Sequence, residues 1–204
     1  MIIDCVSDLH GFFPRLEGGD LLIVAGDLTS RDLGHEYFHF LQWINGCNYK
    51  KKVVVAGNHD GLIAGGRWKF AAPEGIDYLC DSGTEFEGLK IWGSPYTPTF
   101  GDWHFMAERG EEIQKHWDMI PDNTDILITH GPPCGILDKT LSGEHAGCEC
   151  LLLDVCGRVL PKLHVFGHIH EAYGEKILND IHFINCSIMN ERYQPINKPI
   201  RVIL

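Results

Sequence analysis

No apolar run in this chain approaches the ~20 residues that a membrane-crossing helix needs. Positive charge is scarce: 17 Lys and Arg against 28 Asp and Glu give a formal net charge of −11. Such a surface repels a phosphate backbone, and no basic stripe offsets it, so long nucleic acid is not an expected partner. A small phosphate ligand remains compatible, because bound divalent cations would invert the local field. No C-x-x-C pair occurs. The cysteines (Cys5, Cys47, Cys80, Cys134, Cys148, Cys150, Cys156 and Cys186) are scattered, several within apolar runs. Buried free thiols in a cytoplasmic chain are therefore expected, not a disulfide framework. The opening Met1-Ile2-Ile3-Asp4 has no basic n-region and enters a strand-like run, so no signal peptide is expected and the sequon Asn185-Cys186-Ser187 should be idle. Repeats, low-complexity tracts and linkers are missing too, and 204 residues suit one domain over residues 1–204 with a sizeable core.

What the chain does have is one motif used five times. Val53-Val54-Val55-Ala56 reads as a fully buried strand. Gly57 lets the backbone turn tightly at its carboxyl end. Asn58-His59-Asp60 follow, at the place where open α/β sheets put their chemistry. Residues 2–7 run likewise into Asp8-Leu9-His10-Gly11, and 21–25 into Gly26-Asp27. Residues 125–129 run into His130-Gly131, and 163–166 into Gly167-His168-Ile169-His170.

Apolar residues at Leu33, Tyr37, Phe40, Leu41 and Ile44 predict an amphipathic helix over 33–45, stopped by Gly46. Lys50-Lys51-Lys52 reads as a solvated turn, and 61–73 as irregular. Residues 78–80, 84–87 and 90–92 are short candidate strands that suggest an antiparallel section. Residues 94–101 read as a stiff loop, 133–147 as a long one, 106–117 and 148–159 as helix, and 181–186 and 200–204 as closing strands. This order implies a layered α/β fold with a mixed sheet or two packed sheets.

Asp8, His10, Asp27, Asn58, His130, His168 and His170 are the candidate metal ligands, each at or just past a strand end. In Asp-x-His and His-x-His the i and i+2 side chains share a face of an extended chain, so each pair can converge on a cation. A carboxylate has two oxygens, so Asp27 could bridge two metals. Mixed N/O donors suit Mn, Fe, Zn or Co better than Ca or Mg. Seven ligands exceed a closed structural zinc and suit two divalent ions roughly 3.5–4 Å apart, Mn foremost.

Asp8-x-His10, Gly26-Asp27, Gly57-Asn58-His59-Asp60, His130-Gly131 and Gly167-His168-x-His170 together resemble the full signature of the calcineurin-like metallophosphoesterases. The resemblance implies a four-layer α/β-β/α sandwich with mixed sheets and a two-metal centre. It also implies that Asp8, His10, Asp27 and His170 hold the first metal, and Asp27, Asn58, His130 and His168 the second. Ser94-Pro95-Tyr96-Thr97-Pro98, residues 163–174 and Asn185-Cys186-Ser187 resemble the MPPED branch and its bacterial relatives, phosphodiesterases of broad small-substrate activity that includes cyclic nucleotides. Phosphoprotein phosphatases carry Gly-Asp-x-Val-Asp-Arg-Gly where this chain has Gly26-Asp27-Leu28-Thr29-Ser30-Arg31-Asp32. Ser30 thus replaces the acid that would orient the catalytic histidine, which argues against a protein Ser/Thr phosphatase.

The expected reaction is in-line attack on phosphorus by a hydroxide bridging the metals. His59, beside ligand Asn58, is the candidate general acid or electrostatic stabiliser. Asp60 either orients it or caps the following turn. Arg31 could grip phosphate, Tyr96 could stack on a base, and His145 lies in a long loop of the kind that often binds. Asn58 joins them as a candidate substrate contact. Trp68, Trp92, Trp103 and Trp117 read as core or pocket wall. His35, His39, His104, His116, His164 and His182 read as structural or exposed. The rivals to a small-nucleotide phosphodiesterase are a nuclease acting on DNA or RNA, and a non-catalytic scaffold that retains the metal site.

Overall fold

Side chains alternate across a strand, and in this protein both faces of the central strands are apolar, so each sheet must be covered on both sides. The computed structural model describes residues 1–69 and 73–204. It opens with β1 (Ile2–Val6), β2 (Gly19–Ala25), α1 (Gly34–Gly46), β3 (Tyr49–Val55), the short α2 (Gly61–Ala64) and β4 (Ile76–Leu79). Then come β5 (Ser82–Phe86), β6 (Leu89–Ser94), the two-residue strands β7 (Thr97–Pro98) and β8 (Met106–Ala107), α3 (Glu111–Trp117) and β9 (Ile126–Thr129). Helix α4 (Glu149–Asp154) continues into a π-turn at Val155–Val159, followed by β10 (Leu163–Phe166), β11 (Gly174–Leu178), β12 (Ile181–Asn185) and β13 (Ile200–Ile203).

One sheet has the order β13-β1-β2-β3-β4 and the other β11-β12-β10-β9-β6-β5. Both are mixed. β1 to β4 run parallel with β13 antiparallel. β6, β9, β10 and β12 run parallel, with β5 and β11 antiparallel at the edges. Ile3, Cys5, Leu21, Ile23, Val53 and Val55 face Ile91, Ile126, Ile128, Leu163, Val165 and Ile184 in the core between the sheets. The alternate residues Leu22, Val24 and Val54 pack under Tyr37, Phe40 and Ile44 of α1. Leu127, Phe166 and Phe183 pack against Ile113 and Trp117 of α3 and Leu151 of α4. Helix, sheet, sheet, helix: this is the four-layer sandwich. The two sheets pinch together at one place, where Ser7 beyond β1 receives and gives backbone bonds to the segment after β12 (Ser7 N to Cys186 O, 2.9 Å; Ile188 N to Ser7 O, 3.0 Å).

Several local expectations change. Lys50-Lys51-Lys52 is no turn: all three lie in β3, whose ladder with β2 starts at Tyr49. Lys52 is only 9% exposed, and Lys51 reaches Asp77 of β4 at 2.5 Å. β4 pairs parallel with β3, so the antiparallel section shrinks to β5 and β6. The helix predicted over 106–117 begins only at Glu111, because Gly110 at φ 86° breaks the chain between β8 and α3. Leu33 is 45% exposed; it precedes α1, and its N–H is taken by the Glu36 carboxylate at 2.9 Å. All the cysteines are free, but only Cys5, Cys148 and Cys186 are buried and Cys80 is exposed. Asn185 of the sequon is buried, its amide donating to Leu137 O and Ile169 O. Part of the stretch read as irregular, residues 70–72, lies outside the described residues. No helix among those described is long and apolar enough to cross a membrane.

Candidate metal centre

The carboxyl ends of β1, β2, β3, β9 and β10 meet at the pinched end of the sandwich. Asp8, His10, Asp27 and His168 all sit in the left-handed backbone region, at φ 55°, 43°, 52° and 68°, which L-residues seldom occupy. Neighbouring loops hold them there. Asp8 N–H donates to Gly26 O at 2.9 Å, His10 N–H to Asp27 O at 3.0 Å, and Gly167 N–H to His130 O at 3.0 Å. Gly57 opens the tight turn expected of it, Asp60 N–H donating to Gly57 O at 3.1 Å, and it must also do without a side chain. A Cβ there would stand 2.2 Å from Asp27 Oδ1 and 2.7 Å from His130 Cε1. Gly167 is excluded from having a side chain in the same way, by Asp8 Oδ2 at 2.1 Å. The glycines make room for the carboxylates.

Within this space His170 Nε2 lies 3.3 Å from Asp8 Oδ1 and 3.4 Å from His10 Nε2. His10 Nε2 lies 3.6 Å from Asp27 Oδ2. On the other side of Asp27, Oδ1 lies 3.4 Å from His130 Nε2, which is 3.0 Å from Asn58 Oδ1. The His168 ring stands 4.9 Å from that of His130. Three overlapping groups therefore have ligand atoms within 4.8 Å of one another: Asp8, His10 and His170; His10, Asp27 and His59; and Asp8, Asp27 and His130. Asp27 belongs to two of them, one oxygen facing each side. His59, which the motif reading leaves off the metal, is grouped with His10 and Asp27.

The donor set fits a pair of divalent cations. Asp8 and Asp27 are both buried and repel each other. Burial pushes the Asp8 carboxyl up, but the charge and hydrogen bond of His170, then the charge of His130, bring it below the usual carboxylate range. Asp27 behaves alike, burial opposed by His130 and His10. Burial would lower His130, yet Asp27 and Asp8 raise it to about 9. Burial dominates at His10, which is lowered, and at His168, lowered to about 3. Two imidazoles have their tautomer fixed from behind. His130 Nδ1–H donates to Ala25 O at 2.9 Å and His170 Nδ1–H to Asn190 O at 3.0 Å, leaving each Nε2 as the nitrogen available to a metal. Backbone carbonyls carry no side-chain signal, so neither support was legible in the sequence.

His130 has a further support. His164, buried on β10, lies 2.8 Å through Nε2 from Thr129 Oγ1, whose hydroxyl donates to Gly131 O at 2.7 Å. Burial lowers His164 to about 3 from its ordinary 6.5. The unfolded chain takes up this proton below 6.5 and the folded one does not until about 3. Its contribution to stability is complete above pH 6.5 and is drawn down as the pH falls towards 3, at up to about 1.4 kcal/mol per pH unit. Urea unfolding of His164→Gln should show a shallower loss between pH 6.5 and 5 than the parent; equal slopes would remove the assignment.

The remaining predicted residues divide. Asn58, His59, Asp27, His168 and His170 line one cavity of about 590 Å³ together with Phe100, Trp103, Arg109, Glu171, Glu191 and Tyr193. His59 donates its backbone N–H to Asp27 Oδ1 at 2.8 Å, and its Nδ1 donates to Ser30 O at 3.1 Å. Ser30 does hold the imidazole after all, through its carbonyl in place of the missing acid. Glu36 shapes that loop by accepting from the N–H groups of Ser30 and Arg31. Asp60 bonds to loop backbone and not to the His59 ring: it accepts from Gly57 N–H at 2.8 Å, Leu28 and Thr29 N–H at 3.1 Å, and Thr29 Oγ1 at 3.0 Å. Burial, then Asp27, raise it to about 7.

Arg31, Tyr96 and His145 do not line the cavity. Arg31 is exposed. Tyr96 is stacked on His116 with ring centroids 3.5 Å apart, outside the cavity lining. His145 donates to Asp138 at 2.7 Å beside a neighbouring hollow. Phe100, Tyr193 and Arg109 were missed. Their places depend on long-range folding, although Trp103 does form pocket wall.

Residues 1–172 match the sequence profile of the calcineurin-like phosphoesterases. The human protein named metallophosphoesterase domain-containing protein 1 is 38% identical, over 98% of this chain and 70% of its own length. The Caenorhabditis elegans UPF0046 protein T07D4.2 is 33% identical, over 96% of this chain and 58% of its own. A solved crystal structure at 15% identity superposes with a TM-score of 0.67, over 90% of this chain and 89% of the other, and shares the fold.

Proposed function

This chain belongs to the calcineurin-like phosphoesterase family, metal-dependent hydrolases of phosphate esters, and on that premise we propose that it is a phosphodiesterase of small nucleotides, cyclic nucleotides among them. One domain over residues 1–204 carries the activity, with two divalent cations, Mn foremost, and the setting is cytoplasmic. The observation that carries the reading is the shared cavity: candidate ligands Asp27, Asn58, His168 and His170 open into the same space as His59.

Asp8, His10, Asp27 and His170 would hold one cation, and Asp27, Asn58, His130 and His168 the other. Bound there, they would supply Lewis-acid stabilisation of the phosphoryl oxygens and lower the pKa of a coordinated water. The protein's own work is positional. Asp60 clamps the Asn58 loop to the segment after Asp27 through Gly57, Leu28 and Thr29. Ser30 O fixes His59 by Nδ1, so Nε2 is the nitrogen that would hand a proton to the leaving oxygen.

His59→Ala should lower kcat on bis-p-nitrophenyl phosphate by about 10²–10⁴-fold with bound Mn unchanged. Retained turnover would end the general-acid role, and a loss of metal would make His59 a ligand instead. The wider reading is tested with Mn-loaded protein on 2′,3′- and 3′,5′-cyclic nucleotides, mononucleotides, and single- and double-stranded nucleic acid. Cleavage of the polymers alone would favour a nuclease, and no cleavage at all a scaffold.

A further inference from the structure

Three large aromatic side chains stand around the metal-binding groups, and the chemistry outlined above uses none of them. Trp103 lays its indole on His59, ring centroids 4.4 Å apart and planes at 30°. Phe100 tilts against His168 at 5.0 Å. Tyr193 meets His10 edge-on at 4.9 Å and His170 at 5.1 Å. All three line the cavity, yet they remain 44%, 42% and 54% exposed. Apolar rings grouped at one cavity and left in water mark a surface that awaits a ligand. Tyr193 is set in place beforehand: Asn190 Oδ1 accepts from Arg192 N–H and Gln194 N–H at 2.9 Å, and Asn190 O accepts from Tyr193 N–H at 2.9 Å.

The charged groups around the rings narrow the choice. Glu171 and Glu191 line the cavity beside Asp27. Arg109 is the one Lys or Arg among its described lining residues, and its guanidinium is committed. Its Nη1 donates to Gly147 O at 2.8 Å and Glu149 at 2.6 Å, and its Nη2 to Ala146 O at 2.9 Å. A second or third phosphate would face carboxylates with no spare cation, whereas a ring bearing N–H donors would meet acceptors.

We propose that Phe100, Trp103 and Tyr193 form a subsite for the heteroaromatic base of the substrate, which selects a single phosphate group attached to a base-bearing ribose over polyphosphates and polynucleotide chains. This rests on the phosphodiesterase reading but is tested separately, since stacking acts on affinity. Base–aromatic stacking is tolerant of base identity and contributes about tenfold or more per base.

The experiment compares ligands with and without a base. Calorimetry on the Mn-loaded protein should show adenosine 5′-monophosphate binding at least about tenfold more tightly than ribose 5-phosphate, with adenosine 5′-triphosphate gaining nothing further. In the double variant Phe100→Leu/Trp103→Leu that preference should shrink to within a few-fold. Equal binding by the parent, a preference untouched in the variant, or much tighter binding of the triphosphate would each overturn the subsite. Turnover is read in parallel on adenosine 2′,3′-cyclic phosphate and on the methyl riboside 2′,3′-cyclic phosphate. Failure to cleave either would end the phosphodiesterase reading, while the calorimetric preference would still decide the subsite.

Discussion

Asp27→Asn protein should lose hydrolysis of bis-p-nitrophenyl phosphate by on the order of a thousandfold or more, even with Mn in excess. Asparagine keeps the shape and the oxygen that accepts the His59 N–H, but it removes the charge and one of two donor oxygens. Those oxygens face opposite ways, Oδ2 to His10 at 3.6 Å and Oδ1 to His130 at 3.4 Å, so one substitution touches both halves of the site. Metal analysis should find less than the parental content, with the far-ultraviolet circular dichroism unchanged. His130 should also titrate lower, because Asp27 is the main group that raises it. A variant that keeps its full metal complement and turns over within about tenfold of the parent would show that Asp27 does not link the two halves.

Gly57→Ala and Gly167→Ala are expected to follow closely in severity. Each new methyl would enter space already filled by a ligand carboxylate, 2.2 Å from Asp27 Oδ1 in the first case and 2.1 Å from Asp8 Oδ2 in the second. Forcing a carbon into a packed site costs about 1–3 kcal/mol, and displacing a ligand should weaken metal binding by at least about 10–100-fold. Gly157→Ala is the control, since nothing lies within 4 Å of the added methyl. Thermal melts and metal titrations of the three variants distinguish the outcomes. Parental metal affinity in Gly57→Ala would mean that the loop yields and that the close approach is not needed.

The candidate site was legible in the sequence because its signals are local. A β-branched run, a glycine and a metal-capable side chain sit within eight residues of each other, and the pattern needs no knowledge of the partner strands. The four layers were legible only through the resemblance; the buried strands by themselves implied a layered α/β fold with a mixed sheet or two packed sheets. Features decided by distant neighbours were not legible. β11 (Gly174–Leu178) is an edge strand, largely exposed, so no apolar alternation announces it. Three consecutive lysines look like a turn until β2 supplies a ladder for them. Gly110 stops the helix read upstream of Glu111 through a positive φ that composition does not reveal. The carbonyls of Ser30, Ala25 and Asn190 steer three imidazoles, and any residue type has a carbonyl. Tyr96 lies in the 94–98 stretch that carries part of the resemblance, but it stacks on His116 outside the cavity lining, and the rings at the cavity come from elsewhere.

The backbone bonds of Ser7 to Cys186 and Ile188 govern the order in which the protein can mature. Asp8 leaves the ribosome well before the strand that brings His168 and His170 to it. A cation offered to the nascent chain finds scattered donors and no cage. Loading would therefore be a closing event, and any cation bound only by the finished molecule would act as its final latch.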